Sequence, residues 1–221
     1  MSIASRIKEI NSSLTGECRL VAVSKFQPIP LLKEAYDCGQ RIFGESKVQE
    51  LTEKESVLPQ DIEWHFIGHL QTNKVKYIAP FISLIHSVDS LKLAIEIDRQ
   101  AKKNNRVINC LLEVHIAKEE SKQGFTPDEV KQLFLSNAFL DLKNINIIGL
   151  MGMATYTENN NLIRSEFKTL SALFNDLKQS LAPQFSELSI GMSNDYKIAK
   201  EEGSTLVRIG TYIFGERDYG I

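Results

Sequence analysis

The 221-residue sequence lacks several features that would each indicate a particular class of protein. Lysine and arginine number 26 against 28 aspartate and glutamate, so no basic excess is present to neutralise a nucleic-acid backbone. No apolar run approaches the roughly 20 residues that cross a bilayer. The N-terminal stretch MSIASRIKEI is charged and has no apolar core of a secretion signal. We therefore expect a cytoplasmic protein that binds neither nucleic acid nor membrane.

Cysteine pairs with metal-binding or redox spacing are also missing. Cys18, Cys38 and Cys110 lie far apart without CxxC spacing, which is typical of reduced thiols in a cytosolic protein. His65 and His69 are four residues apart, but they fall at a predicted strand end rather than on one face of a helix. We expect no metal site.

A linker rich in proline, glycine or serine is absent as well, so we treat residues 1–221 as a single domain. Short β-branched runs alternate with amphipathic stretches, which favours parallel βα units. Eight strands are predicted: RLVAVSK, RIFG, EWHFIG, SLIHSV, INCLLEVHI, INIIGLMGM, ELSIG and TLVRIG. They predict an α/β fold, a single (β/α)₈ TIM-type barrel. An open doubly wound sheet is the alternative, but VAVSKFQPIP offers no glycine-rich turn after the first strand.

An additional N-terminal helix is predicted in front of the barrel. Ile3, Ile7, Ile10 and Leu14 recur at helical spacing and would form one apolar stripe. Further along, Thr126 and Pro127 occupy the positions of an N-cap and a first helical residue, and Gly203 is a typical C-terminal stop.

Two cations are predicted on the inner face of adjacent strands. Alternation places Val21, Val23 and Lys25 on one face of the first strand, so the lysine points into the barrel at its carboxyl end. In the last strand the same test points Arg208 inward. Two buried cations need an anionic or electron-rich group between them. Pairing with an inward acid, Glu45 or Glu113, is the alternative.

Two loops have the composition of a phosphate site. The seventh strand leads into GMSND (191–195), and the eighth leads into GTYIFG (210–215). Small residues let backbone N–H groups approach an anion, and Ser193 and Thr211 add hydroxyl donors. Barrels often bind phosphate between these two loops. Each loop alone could merely cap a helix or turn the chain.

A rim lysine, an inward arginine and a phosphate cup can together hold pyridoxal 5′-phosphate. The lysine would form a Schiff base with the aldehyde, and the arginine would face the pyridine nitrogen. Burial of Lys25 would favour the neutral amine that this reaction needs. A Schiff-base aldolase, in which the lysine reacts directly with a sugar phosphate, is the competing hypothesis.

The sequence resembles the pyridoxal phosphate homeostasis protein family, whose members are similar to the N-terminal barrel domain of alanine racemase. The resemblance spans almost the whole chain. It rests on VAVSK (21–25), IFGES (42–46), EWHFIGHLQTNK (63–74), HSVDS (86–90), EESKQGF (119–125), GLMGMAT (149–155) and SIGMSNDYKIAKEEGSTLVRIGTYIFGERDYG (189–220).

The resemblance implies roles for individual residues. Lys25 corresponds to the Schiff-base lysine and Arg208 to the arginine at the pyridine nitrogen. Four residues correspond to the phosphate cup: Met192, Ser193, Gly210 and Thr211. The family usually has GENYVQE where this chain has GESKVQE, so Ser46 replaces an asparagine that lines the pocket and Lys47 replaces a tyrosine. We expect a modest change in cofactor affinity from these replacements.

The resemblance also implies a function. Members are regarded as cofactor carriers or homeostasis factors for vitamin B6 and for amino and keto acids, without established turnover, and we assign no catalytic residue. An arginine at the pyridine nitrogen weakens the ring as an electron sink. The second acid/base group of alanine racemase belongs to a C-terminal domain that we do not expect here. An amino-acid racemase is the alternative. We expect a monomer, with cofactor-dependent apo-enzymes as candidate recipients.

Overall fold

The computed structural model describes residues 1–14, 16–118 and 123–215. Residues 119–122 of the motif EESKQGF and the run ERDYG lie outside the described residues. Eight parallel strands pair in sequence order, and the last strand pairs with the first to close a barrel. The predicted barrel is confirmed, and the open-sheet alternative is wrong. The strands are β1 (Arg19–Val23), β2 (Ile42–Glu45), β3 (Glu63–Phe66), β4 (Leu84–Val88), β5 (Ile108–Val114), β6 (Ile145–Gly152), β7 (Glu187–Met192) and β8 (Leu206–Ile209).

Helices connect the strands on the outside of the barrel, and one helix precedes them as predicted. A 3₁₀ turn at Thr72–Lys74 leads into the fourth helix. No helix in the described ranges is long and apolar enough to cross a membrane. The helices are α1 (Ile3–Ser13), α2 (Ile29–Asp37), α3 (Val48–Glu55), α4 (Val75–Ile78), α5 (Leu91–Lys103), α6 (Pro127–Leu135), α7 (Asn160–Ser180), α8 (Tyr196–Glu201) and α9 (Thr211–Phe214).

Local sequence signals account for where several helices begin and end. Helix α6 begins with a reciprocal capping box, in which the Thr126 hydroxyl accepts the Glu129 N–H and the Glu129 carboxylate accepts the Thr126 N–H. Helix α1 buries Ile3, Ile7 and Ile10 on the predicted stripe. Gly203 follows α8 with φ +92°, a conformation that glycine adopts without steric cost.

The side chains of the strands divide into an inner and an outer set. The larger apolar cluster joins the outer faces of the strands to the helices, and it includes Ala22, Val207 and Ile209. The smaller cluster fills the barrel interior and consists of Val21, Ile42, Leu84, Leu111, Met151 and Leu206. The predicted alternation of β1 and β8 is therefore confirmed, because Val21 and Leu206 face inward while their chain neighbours face the helices.

Candidate functional site

Lys25 lies in a tight turn at the carboxyl end of the barrel. The strand was predicted to run to Lys25, but β1 ends at Val23, and the N–H of Gln27 donates to the carbonyl of Ser24 (3.0 Å) to close a turn over residues 24–27. Phe26 has φ +61°, in the left-handed region that glycine usually occupies in such turns. The lysine is half-buried at the rim. Its placement therefore depends on the turn, not on the strand alternation.

Arg208 is buried inside the barrel, and its hydrogen bonds within the described ranges go to neutral acceptors. Its Nη1 donates to the carbonyl oxygen (2.8 Å) and to Oγ (2.5 Å) of Ser189, and its Nη2 donates to the carbonyl oxygen of Gly152 (3.0 Å). Burial lowers the pKa of Arg208 to about 10, so the guanidinium remains charged at neutral pH. No ion pair within 4.0 Å links it to an acid in the described ranges.

Asp195 and Glu113 act on the Arg208 charge electrostatically. The two acids considered as inward partners, Glu45 and Glu113, differ in their placement. Glu45 faces the helix layer, where Lys54 of α3 donates to its Oε1 (2.7 Å), so its prediction as an inward partner was wrong. Glu113 lies 7% exposed on β5 and near enough to act on Arg208 electrostatically, but the two form no described ion pair. Burial, with the Asp89 charge, raises the pKa of Glu113 to about 7.

A chain of buried polar side chains extends from Arg208 across the barrel interior. Ser189 Oγ lies 2.9 Å from Nδ1 of His86, and Nε2 of His86 lies 3.0 Å from Nδ1 of His65. Burial lowers the pKa of both histidines, to about 3 for His65, so both are neutral. Because Arg208 can only donate, a consistent arrangement has Ser189 donating to His86 and His86 donating to His65. The sequence pattern did not predict this contact, because His65 and His86 lie on different strands.

The two predicted phosphate loops lie side by side at the same end of the barrel as Lys25. Arg208 of β8 pairs in register with Met192 of β7. Helix α9 begins at Thr211, and the first N–H groups of a helix have no acceptor within the helix. A Cβ atom at Gly210 would lie 2.9 Å from the carbonyl oxygen of Val23, so only glycine fits between the loop and β1.

A cavity of about 860 Å³ opens between these loops and the loop that follows β6. Three of the residues predicted for a phosphate cup, Met192, Ser193 and Thr211, line this cavity, and the β6–α7 loop adds hydroxyl groups at Thr155 and Thr157. Their role in phosphate binding stays a prediction. The cavity wall does not include four other predicted site residues: Lys25, Ser46, Arg208 and Gly210. The predicted site residues therefore fall into two groups, those that line this cavity and those that do not.

Ser46 and Lys47, the two departures from the usual family motif, follow β2 at the same rim. Ser46 is half-buried and packs against the backbone of Gly68, where a Cβ would lie 2.4 Å from the Ser46 carbonyl oxygen. The Lys47 ammonium lies 4.5 Å from the ring centroid of Phe26. Lys47 therefore contacts the lysine turn, whereas Ser46 packs against the loop that follows β3.

Comparisons with known proteins agree with this architecture. The sequence profile described as "Alanine racemase, N-terminal domain" matches residues 1–218. The pyridoxal phosphate homeostasis protein of Aquifex aeolicus is 45% identical over 202 residues, which cover 91% of this chain and 88% of that protein. Its counterpart from Synechocystis is 39% identical over 95% of this chain and 96% of its own length.

Solved structures show the same relationship. PipY of Synechococcus elongatus is 36% identical and superposes with a TM-score of 0.91 without pyridoxal phosphate and 0.88 with it bound, covering 97% of this chain and 100% of PipY. Alanine racemase of Clostridium difficile shares the fold alone, at 12% identity and a TM-score of 0.78. The chain therefore belongs to the alanine racemase N-terminal domain family and, within it, to the family of the pyridoxal phosphate homeostasis proteins.

Proposed function

We propose that this protein binds pyridoxal 5′-phosphate through Lys25 and takes part in the homeostasis of vitamin B6 and of amino and keto acids. One observation carries the proposal: a buried, charged Arg208, held by neutral acceptors, lies at the barrel end where the lysine turn and two small-residue loops meet. The names of the relatives and the PipY structure with the cofactor bound support it.

The residues of this chain fit the phosphate group and the aldehyde of the cofactor, and Arg208 fits its pyridine nitrogen. The cavity between the β7 and β8 loops has hydroxyl groups at Ser193 and Thr211, and helix α9 adds N–H groups suited to a phosphate. The cofactor would supply an aldehyde. The Lys25 amine can condense with it, forming a C=N bond as the aldehyde oxygen leaves as water.

Arg208 decides which chemistry this site favours. A guanidinium only donates hydrogen bonds, and the pKa of about 10 keeps Arg208 protonated at neutral pH. It can therefore pair with a pyridine nitrogen only when that nitrogen is unprotonated. An unprotonated ring is a weak electron sink, which favours holding the cofactor over amino-acid turnover.

The biological setting follows from the same proposal. We place the protein in the cytoplasm as a monomer, with cofactor-dependent apo-enzymes as recipients. A half-buried rim lysine supports a transfer role, because a linkage at the mouth of the barrel is reachable by a competing amine.

The visible absorption spectrum of purified protein with added pyridoxal phosphate, before and after borohydride reduction, tests the assignment. Wild type should show a yellow band that reduction abolishes, and Lys25→Ala should lack it. Lys47→Ala, which removes an exposed lysine beside the same turn, is the matched control and should keep the band. A wild-type protein that stays colourless contradicts the proposal and favours the sugar-phosphate aldolase.

A further inference from the structure

The turn that carries Lys25 has a backbone conformation that its own sequence does not favour. Phe26, the residue after the lysine, adopts φ +61° although it is not glycine. A left-handed conformation is sterically unfavourable for a residue that carries a Cβ atom. Such strain persists only where surrounding contacts hold the backbone, and it concentrates at functional sites.

A buried ion-pair network lies outside the barrel wall, directly behind this turn. Lys54 of α3 is 4% exposed, and its Nζ lies 2.7 Å from Glu45 Oε1 and 2.7 Å from Glu50 Oε1. Glu45 also accepts the Ser24 hydroxyl at 2.6 Å. Two carboxylates from β2 and α3 thus share one ammonium group beneath the rim.

The network bonds to the main chain on both sides of Lys25. Lys54 Nζ donates to the carbonyl oxygen of Ser24 at 2.7 Å, and the N–H of Phe26 donates to Glu50 Oε1 at 2.6 Å. With the bond from Gln27 to Ser24, three of the four residues of the turn are held by hydrogen bonds from outside or across it.

These contacts distinguish the network from general scaffolding. Apolar side chains of similar volume often stabilise a fold as well as a buried ion pair does, or better. The second oxygen of Glu45, Oε2, is buried and has no hydrogen-bond partner in the described ranges, which is itself unfavourable. The charged groups do make directional hydrogen bonds to the backbone atoms of Ser24 and Phe26, on either side of the lysine.

We infer that Glu45, Glu50 and Lys54 are positioning residues that hold the turn so that the Lys25 amine faces the aldehyde of a bound cofactor. This inference rests on the proposed function. Helix α3 carries two of the three residues. A change in this helix would therefore reach the cofactor through the turn, without a contact between helix and cofactor.

Substitutions at Glu50 test the inference, because its side chain is 20% exposed and the variants should fold. Two ligands separate positioning from general stability: pyridoxal phosphate, measured by its visible band, and pyridoxine 5′-phosphate, an alcohol that cannot condense with lysine, measured by calorimetry. Glu50→Ala should weaken pyridoxal phosphate binding about tenfold, or about 1.4 kcal/mol. Binding of pyridoxine phosphate should stay within about twofold of wild type.

Three further variants show whether the lost hydrogen bonds cause the effect. Glu50→Gln retains an oxygen that can accept the Phe26 N–H, so its loss of pyridoxal phosphate affinity should be under about threefold. Glu53→Ala removes an exposed acid of the same helix and should match wild type with both ligands. Lys54→Met should show the same selective loss as Glu50→Ala.

The other outcomes of the two-ligand comparison would contradict the inference. Equal losses for both ligands in Glu50→Ala and Lys54→Met would make the network purely structural, and unchanged pyridoxal phosphate binding would remove any role for it. A wild-type protein without a reducible band would overturn the proposed function and this inference together, whereas an intact wild-type band with unaffected variants would overturn the inference alone.

Discussion

Lys54 and Arg208 are both buried cations near the same end of the barrel, yet their surroundings differ. Lys54 lies between β2 and α3 with two carboxylates within 2.7 Å. Arg208 lies inside the barrel and bonds to two carbonyl oxygens and one hydroxyl. Since an unpaired buried charge is costly, the fold holds the outer cation in two close ion pairs, whereas Asp195 and Glu113 act on the inner cation electrostatically.

The pKa values of the neighbouring groups also differ between the surroundings of Lys54 and those of Arg208. Around Lys54, burial raises the pKa of Glu45 to about 7, but the nearby ammonium and the Ser24 hydroxyl oppose the shift. Around Arg208, burial keeps His65 and His86 neutral, so they add no second charge to the interior. Lys54 is thus held in close ion pairs, whereas Arg208 is hydrogen-bonded to neutral groups and interacts with Asp195 and Glu113 electrostatically at longer range.

Removing the outer cation should have the largest effect on stability. Lys54→Met leaves Glu45 buried without its partner, so the free energy of unfolding should fall by about 3–5 kcal/mol. Denaturant unfolding with and without Glu45→Gln in the same chain measures this. The double variant should recover part of the loss, and a double variant as unstable as Lys54→Met alone would contradict the account.

Removing the inner cation should cost less stability but impair the ligand site. Arg208→Met leaves acceptors at Ser189 and Gly152 unpaired, which predicts a loss of about 1–3 kcal/mol in the free energy of unfolding. Affinity for both pyridoxal phosphate and pyridoxine phosphate should fall, because either ring nitrogen would lose its donor. Unchanged affinity for the two ligands would show that Arg208 serves the fold alone.

The pH dependence of stability should reveal the neutral histidines of the interior. Their pKa values are lowered from the ordinary value of about 6.5, so the unfolded chain takes up protons first. Each histidine therefore lowers the free energy of unfolding by about 1.4 kcal/mol per pH unit below 6.5. Glu113 has a pKa raised from 4.5 to about 7, so it binds its proton more tightly in the folded state. Acidification over that range therefore stabilises the fold through Glu113, opposite to the effect of the histidines.

Glu113→Gln should therefore lose stability more steeply than wild type as pH falls from 6.5 to 4.5, by about 1.4 kcal/mol per pH unit. Unfolding midpoints at matched pH values give the slope. Parallel profiles for the variant and wild type would show that Glu113 titrates in the fold as it does in the unfolded chain.

The smallest effect is expected at Ser46, which lies next to Glu45 at the boundary between the two regions. Ser46→Asn restores the residue usual in the family and should tighten pyridoxal phosphate binding about two- to threefold by adding a longer polar side chain at the rim. Titration of the visible band measures this. Weaker binding would indicate that the packing of Ser46 against Gly68 has no room for asparagine.

Much of the fold could be predicted because its signals are local. The eight strands, the N-terminal helix, the N-cap at Thr126 and the inward face of Val21 follow from hydrophobic period and capping residues that neighbours in the chain define. The end of β1 could not be predicted, because the turn after Val23 is held by side chains from β2 and α3.

The sequence alone determined the barrel, the family and the candidate roles of Lys25 and Arg208, since periodic patterns and a long contiguous motif near the C-terminus carry that information. Only the tertiary structure decided how these two residues are held. The partners of Arg208 come from β6 and β7, and those of the lysine turn come from β2 and α3. Hydrogen bonds between residues far apart in the chain depend on how strands and helices pack, and no local pattern specifies them.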